Sequence, residues 1–121
     1  MATIEIERIA HGLALRGELD AASAPELEVA LREALLTSDG VFVLDLCDLE
    51  FMDSGGVNEL LRARSLLGRE ERALALVCPP GSVRRVLDVI GIDDLFTLFA
   101  TRAEAEAALV RPDCDQQVTG T

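Results

Sequence analysis

The sequence predicts an α/β domain with a mixed, mostly parallel five-stranded sheet and about four helices, in the order β-β-α-β-α-β-α-β-α. Residues 41–44 and 73–77 are unbroken apolar runs, which are typical of central strands covered on both faces. Longer segments with apolar residues at helical spacing follow each of these runs. Strands that alternate with helices in this way form parallel sheets with right-handed crossovers.

The first two strands are predicted close to the N-terminal end of the sequence. Ile4 and Ile6 alternate with glutamates, which indicates a strand with one wet face. Residues 13–16 form a second apolar segment, bounded by Gly12 and Gly17. Because the connection between them is so short, we expect an antiparallel pair at one edge of the sheet.

The first helix has a clear start signal. Ser23 and Glu26 have the spacing of a capping box, in which each side chain bonds a backbone N–H at the other residue. Pro25 lies in the first turn, where no hydrogen-bond donor is lost. The predicted apolar face consists of Leu27, Ala30, Leu31, Ala34 and Leu35.

The central strand at residues 41–44 is predicted to lead into an acidic loop that ends at Asp53. A second helix begins directly after Asp53, with Ser54, Gly55 and Gly56 in its first turn. Its apolar face is predicted from Val57, Leu60, Leu61 and Leu67, with Glu59, Arg62 and Arg64 mostly on the opposite, polar side.

The remaining elements follow from similar patterns. Residues 73–77 predict a strand, and the helix after it is expected to end at Gly91 in a left-handed conformation. Residues 95–99 predict the fifth strand. Thr101 and Glu104 repeat the capping-box spacing at the start of a last helix.

The chain of 121 residues is therefore expected to form one domain, residues 1–110, followed by a tail. Half of the residues are hydrophobic, which is enough for a core. Residues 111–121 are polar and include Pro112, so we expect this tail to be disordered.

The charge balance narrows the class of partner. The net charge is −11, with eleven Arg and no Lys against twenty-two acidic residues. Nucleic acid is an unfavourable partner for such a chain, because duplex binding needs phosphate neutralisation. The acidity serves either solubility or attraction to a basic protein. The sequence has no apolar stretch of membrane-spanning length and no signal peptide, so we expect a cytoplasmic protein that does not enter a membrane.

The three cysteines, Cys47, Cys78 and Cys114, have no metal-binding or C-x-x-C spacing. Three reduced thiols, one or two of them buried, are the simpler interpretation. A regulatory disulfide is the alternative, and Cys78 with Cys114 is the preferred pair because Cys114 lies on the predicted tail.

Few residues suggest catalysis or metal binding. The single histidine, His11, lies in the predicted turn between the first two strands, where it is most simply a solvated turn residue. Asp45, Asp48 and Asp53 have no partner acid at catalytic spacing, and at most they would hold a divalent cation weakly. We therefore predict no metal site and no cofactor.

Ser54 is the strongest candidate for a functional residue. The pattern places its hydroxyl at the start of a helix, where backbone N–H groups are unpaired and the local field is positive. A phosphate there would be tolerated by the fold and sensed by a partner. Helix capping by Asp53 or Ser54 is the simpler alternative.

Several of these motifs resemble one bacterial family. Residues 17–20 with the following Ala-Pro-Glu, the segment from Leu44 to Ser54, residues 81–87 and residues 90–92 resemble the anti-sigma factor antagonists (anti-anti-sigma factors), the stand-alone members of the STAS domain group. The resemblance extends from Thr3 to about Val110. It implies a STAS-like fold and a role in transcription regulation rather than an enzyme.

The resemblance also implies a switch. In that family, the anti-sigma factor is also a serine kinase that phosphorylates the serine after the loop aspartate, which is Ser54 here. The unphosphorylated antagonist binds the kinase and so frees its sigma factor, and the phosphorylated antagonist cannot bind. The candidate partner-binding residues are Asp20, Asp48, Met52, Asp53, Ser54, Gly55, Gly56 and Asn58.

Two residues depart from the family pattern. Gly55 stands where the family usually has Ser, Thr or Ala, and we expect it to make the turn more flexible. Asn58 adds a polar group to the expected docking face. These departures and the cysteines leave a second hypothesis: an unphosphorylated scaffold or sensor module, gated by thiol oxidation or a small ligand, in which Ser54 is only a cap. An enzyme with Ser54 as nucleophile is a third hypothesis.

Overall fold

A computed structural model describes residues 4–110 of the chain and shows a five-stranded sheet in the order β1-β2-β3-β4-β5. The first pair of strands is antiparallel and the other three pairs are parallel. The predicted fold class and element order are confirmed. The strands are β1 (Ile4–Ile9), β2 (Gly12–Leu19), β3 (Phe42–Met52), β4 (Leu74–Val77) and β5 (Thr97–Phe99).

The helices cover the two faces of the sheet unequally. They are α1 (Ala24–Leu36), α2 (Ser54–Arg69), α3 (Ser82–Ile90) and α4 (Arg102–Val110), with a short 3-10 helix at Asp93–Leu95. The first three pack against one face and form the main core with residues such as Leu44 and Leu76. The last helix packs on the other face, against β4 and β5.

The prediction of an acidic loop after residue 44 was wrong, because β3 continues to Met52. Two register shifts along the β2–β3 pair act as bulges in β3. As a result, Leu46, Leu49 and Met52 all join the main core although they are three residues apart. This spacing breaks the strict alternation by which a strand is recognised in a sequence.

The capping box predicted at Ser23 does not form. Ser23 adopts a helical backbone conformation (φ −95°, ψ −11°), and its side chain makes no cap hydrogen bond. Its hydroxyl instead accepts from the Asp20 N–H at 3.0 Å and donates to the Glu18 carbonyl at 2.9 Å. The polar groups of the preceding loop therefore compete successfully for this hydroxyl.

The structure also tests the predicted end of α3 and the predicted start of α4. Gly91 ends α3 in the predicted left-handed conformation, with φ 84°. Thr101 Oγ1 accepts from the Glu104 N–H at 3.1 Å, but the Glu104 carboxylate accepts from Ala100, one residue earlier than a capping box requires. The fifth strand begins at Thr97, because residues 93–95 form the 3-10 helix.

Two further points concern the boundary of the domain and the character of its helices. The predicted tail, residues 111–121, lies outside the described residues, so the domain boundary stays a prediction. Within residues 4–110, no helix combines the length and apolar character needed to cross a bilayer.

Candidate functional site

The carboxyl ends of β2 and β3 bring the β2–α1 loop (residues 20–23) next to the start of α2. Leu19 pairs with Met52 at the last position of the two strands. The Asp53 N–H then donates to the Leu19 carbonyl at 3.4 Å. The predicted neighbours Asp20 and Ser54 are thus held at the same edge of the sheet.

Asp53, and not Ser54, caps α2. Asp53 has an extended backbone, and its Oδ1 accepts from the N–H groups of Gly55 at 2.9 Å and Gly56 at 3.2 Å. Its carbonyl accepts from the Val57 N–H at 2.9 Å. Ser54 is the first helical residue and is exposed. The hypothesis that Ser54 is only a cap is therefore wrong.

The same contacts correct our expectation for a phosphate. The Asp53 carboxylate already engages the two N–H groups that we expected to be unpaired. A phosphoryl group on Ser54 would still lie in the positive field of the helix start, but beside a carboxylate. The domain therefore offers a phosphate less compensation than the sequence suggested.

Gly55 and Gly56 are required by close packing. A Cβ atom on Gly55 would lie 2.6 Å from the backbone nitrogen of Ala21 and 2.9 Å from its Cα. A Cβ on Gly56 would collide with the Leu19 carbonyl oxygen and lie 2.7 Å from the Met52 side chain. The missing side chain of Gly55 lets the β2–α1 loop lie against α2, and the expected flexibility of the turn stays a prediction.

Asp20 stabilises the loop beside Ser54. Its Oδ1 accepts from the Ser23 N–H at 3.0 Å, and its carbonyl accepts from the Ala24 N–H at 2.9 Å. The carboxylate is half-buried. Asp20 thus holds the β2–α1 loop in shape and also contributes a carboxylate to the surface beside Ser54.

The remaining candidates divide into exposed and buried residues. Asn58 is exposed one turn after Ser54. Met52 is only 3% exposed and Gly56 is buried, so neither offers a contact surface to a partner. Sequence reasoning missed Phe51, which is 47% exposed at the end of β3, because the bulges hide which side of the strand it faces.

The structure does not bring Asp48 to this site. Asp48 lies within β3, five residues before Asp53, which corresponds to about 13 Å along this bulged part of the strand. Its carboxylate is 3.9 Å from Arg16 on the neighbouring strand, in an exposed ion pair. Its expected contact with a partner stays a prediction.

A catalytic role for Ser54 lacks a base. His11 is the only histidine of the sequence, and it is an exposed turn residue with φ 70° at the beginning of β2. Ser54 lies beyond the opposite end of that strand, about 25 Å away. A serine–histidine pair is therefore impossible. Within residues 4–110, no three His, Cys, Asp or Glu side chains are grouped to hold a metal ion.

The cysteines differ in their surroundings. Cys78 is 1% exposed, and burial raises the pKa of its thiol. Its proposed disulfide partner, Cys114, lies outside the described residues. The residue Cys47 is exposed. Partial burial of its thiol, together with the hydrogen bond and charge of Asp45, nevertheless raises the pKa of that thiol to about 12. Cys47 therefore stays protonated at neutral pH and is a poor nucleophile.

Comparison with known proteins agrees with this geometry. The STAS domain family matches residues 3–105. The anti-sigma-F factor antagonist RsfB of Mycobacterium tuberculosis is 30% identical over 93 residues, which cover 77% of this chain and 75% of that protein.

Solved structures show the same architecture. The crystal structure of an anti-sigma factor antagonist from Mycobacterium paratuberculosis is 30% identical, with a TM-score of 0.75 over 88% of this chain and 92% of the other. The Bacillus cell fate determinant SpoIIAA in its phosphorylated form shares the fold, at 23% identity and a TM-score of 0.63, over 88% of this chain and 98% of the other. The chain therefore belongs to the STAS domain family, together with proteins named anti-sigma factor antagonists.

Proposed function

We propose that this protein is an anti-sigma factor antagonist whose binding is switched off by phosphorylation of Ser54. The names of its relatives at 30% identity support the class of function. The observation that carries the switch is the hydroxyl of the exposed residue Ser54, which the helix does not need because Asp53 provides the cap. In this proposal the protein acts by binding in the cytoplasm and uses no cofactor.

The docking surface, which we call the Ser54 surface, comprises Asp20, Ala21, Asp53, Ser54, Gly55 and Asn58. These side chains are small, and the two adjacent segments are held close by the missing side chain of Gly55. A partner backbone can therefore approach α2 at its start. Because the surface contains two carboxylates and no described basic residue, we expect the anti-sigma factor to present basic groups to it.

Phosphorylation would change the charge of this surface. Transfer of the γ-phosphoryl group of ATP to Ser54 Oγ, with release of ADP and a proton, adds roughly −1.5 to −2 charges. The new group would lie beside the Asp53 carboxylate, whose Oδ1 holds the first N–H groups of the helix. In this proposal the basic groups of the partner face Asp20 and Asp53, and no Arg or Lys faces Ser54. Covering the phosphate charge without a matched basic group would cost several kcal/mol, which corresponds to a loss of affinity of about 100-fold or more.

The test uses the full chain and an ATP-binding anti-sigma factor from the same genome. Calorimetry should show binding to the wild type, and incubation with ATP should yield a phosphopeptide that contains Ser54. Ser54→Ala should bind but become insensitive to ATP, whereas Ser54→Glu should bind at least tenfold more weakly. Ser65, an exposed serine on the same helix, supplies the control Ser65→Ala, which should behave as wild type.

Two results would contradict the proposal. Failure of the wild type to bind any anti-sigma factor of its genome would remove the antagonist function. Binding that persists unchanged after stoichiometric phosphorylation of Ser54 would leave the function but remove the switch.

A further inference from the structure

Glu59 is an acidic residue buried between α1 and α2. We expected it on the polar side of α2, but it is only 3% exposed. Within the described residues, its Oε2 atom is buried and has no hydrogen-bond partner. Oε2 has thus lost its contact with water without gaining a hydrogen bond, which disfavours the ionised form of the carboxyl group in the folded protein.

The arginines near Glu59 are bound to another carboxylate. Glu28 on α1 accepts from Arg32 at 3.1 Å and from Arg62 at 3.4 Å. Glu28 thus takes the direct hydrogen bonds of both guanidinium groups, whose side chains are 58% and 55% exposed. Glu59 is therefore attracted by the two guanidinium charges only over a longer distance, without a direct hydrogen bond.

The electrostatic balance favours the neutral acid. Burial raises the pKa of Glu59, and the charge of Glu28 raises it further, while Arg62 and Arg32 lower it incompletely. Because the folded protein then binds this proton more tightly than the unfolded chain, the contribution of Glu59 to stability is greatest at low pH. It falls as the pH rises above the ordinary glutamate value of 4.5.

Glu59 is also connected to the Ser54 surface through the helix. It lies four residues after Gly55, so the two residues share one face of α2. Gly55 lies against Ala21 in the β2–α1 loop, and α1 begins at Ala24, directly after that loop. A change in the spacing of α1 and α2 at Glu59 would therefore move or loosen the loop.

We propose that Glu59 is a pH-sensitive element of the α1–α2 interface, which closes when its carboxyl group is protonated and loosens, together with the β2–α1 loop, when it is ionised. The element requires neither phosphorylation nor an anti-sigma factor. It would add a response to cytoplasmic pH to the loop beside Ser54.

The test is urea denaturation of the full chain between pH 5 and pH 8, followed by circular dichroism. Relative to Glu59→Gln, the unfolding equilibrium constant of the wild type should increase roughly tenfold over this range, as expected for a buried polar group without a partner. Glu28→Gln is the matched control. This substitution frees Arg32 and Arg62 for Glu59, so the stability of Glu28→Gln should depend less on pH than that of the wild type.

Hydrogen exchange gives an independent measurement on the wild type. Amides of the β2–α1 loop and the first turns of α1 should exchange faster at pH 8 than at pH 5, after correction for the intrinsic pH dependence of exchange. Glu59→Gln should abolish this difference. Parallel stability curves for the wild type and Glu59→Gln, or corrected exchange rates that do not change with pH, would overturn the proposal.

Discussion

The close approach of the β2–α1 loop to α2 can be tested with two glycine substitutions on the same helix. Gly55 lies in its first turn, against Ala21, and Gly68 lies in its last turn with nothing within 4 Å of an added Cβ. Gly55→Ala should destabilise the protein, and Gly68→Ala should stabilise it. The two substitutions make the same chemical change, so their opposite signs isolate the contact.

The magnitude follows from the distances. The added Cβ on Gly55 would have to move about 0.8 Å from the Ala21 nitrogen to reach the 3.4 Å of ordinary contact. Because both sides are backbone, the loop or the helix start must shift, and overpacking of this kind costs roughly 1–3 kcal/mol. The helix propensity of alanine offsets up to about 1 kcal/mol. We expect a net loss of about 0.5–2 kcal/mol for Gly55→Ala and a gain of about 0.5–1 kcal/mol for Gly68→Ala.

The assay is urea unfolding followed by circular dichroism, since the sequence contains neither Trp nor Tyr for intrinsic fluorescence. The slopes of the unfolding curves should agree among the three proteins, so that midpoints report stability. If Gly55→Ala were as stable as Gly68→Ala, the loop would not lie against the helix start as described. The role that we assign to Gly55 in the Ser54 surface would then be wrong.

Three further predictions concern residues near the sheet. Asp53→Ala should lower the free energy of unfolding by about 1 kcal/mol because α2 loses its cap. Asp53→Asn keeps a side-chain oxygen that can cap the helix, so most of the wild-type stability should remain. Equal losses of stability in the two variants would argue against the cap. Arg102→Met removes the 2.7 Å hydrogen bond from Arg102 Nε to the buried Asp45 and should cost about 1.5–3 kcal/mol at pH 7. Burial raises the pKa of Asp45, but hydrogen bonds from Cys47 and Arg102 outweigh this and lower it, so the difference between wild type and variant should shrink below pH 3.8 and not stay constant. Cys47, despite its exposure, should react with iodoacetamide at pH 8 at least tenfold more slowly than free glutathione, as followed by peptide mass spectrometry; an equal rate would contradict its raised pKa.

The regular elements could be predicted because their signals are local. The apolar runs at residues 41–44 and 73–77 and the helical spacing that follows them reflect burial on one or two faces, which each segment expresses in its own residues. The same applies to Gly91, whose left-handed conformation depends only on the end of its own helix. Ser54 was found in this way, since Asp-Ser-Gly-Gly followed by apolar residues at helical spacing indicates a helix start.

The errors have a common cause, which is that they depend on specific contacts that the apolar spacing and capping patterns of a segment do not encode. The acidic segment after residue 44 is a strand because β2 pairs with it through two bulges. Ser23 does not cap α1 because Asp20 and Glu18 bind its hydroxyl first.

The sequence by itself determined the α/β class, the order of the elements and the position of Ser54 at the beginning of α2, because periodicity and helix-start residues act over a few positions. Only the tertiary structure decided that Gly55 makes room for Ala21 and that Glu59 is buried beside arginines held by Glu28. These outcomes depend on how separate segments of the chain pack against one another, and the residues of one segment do not reveal that packing.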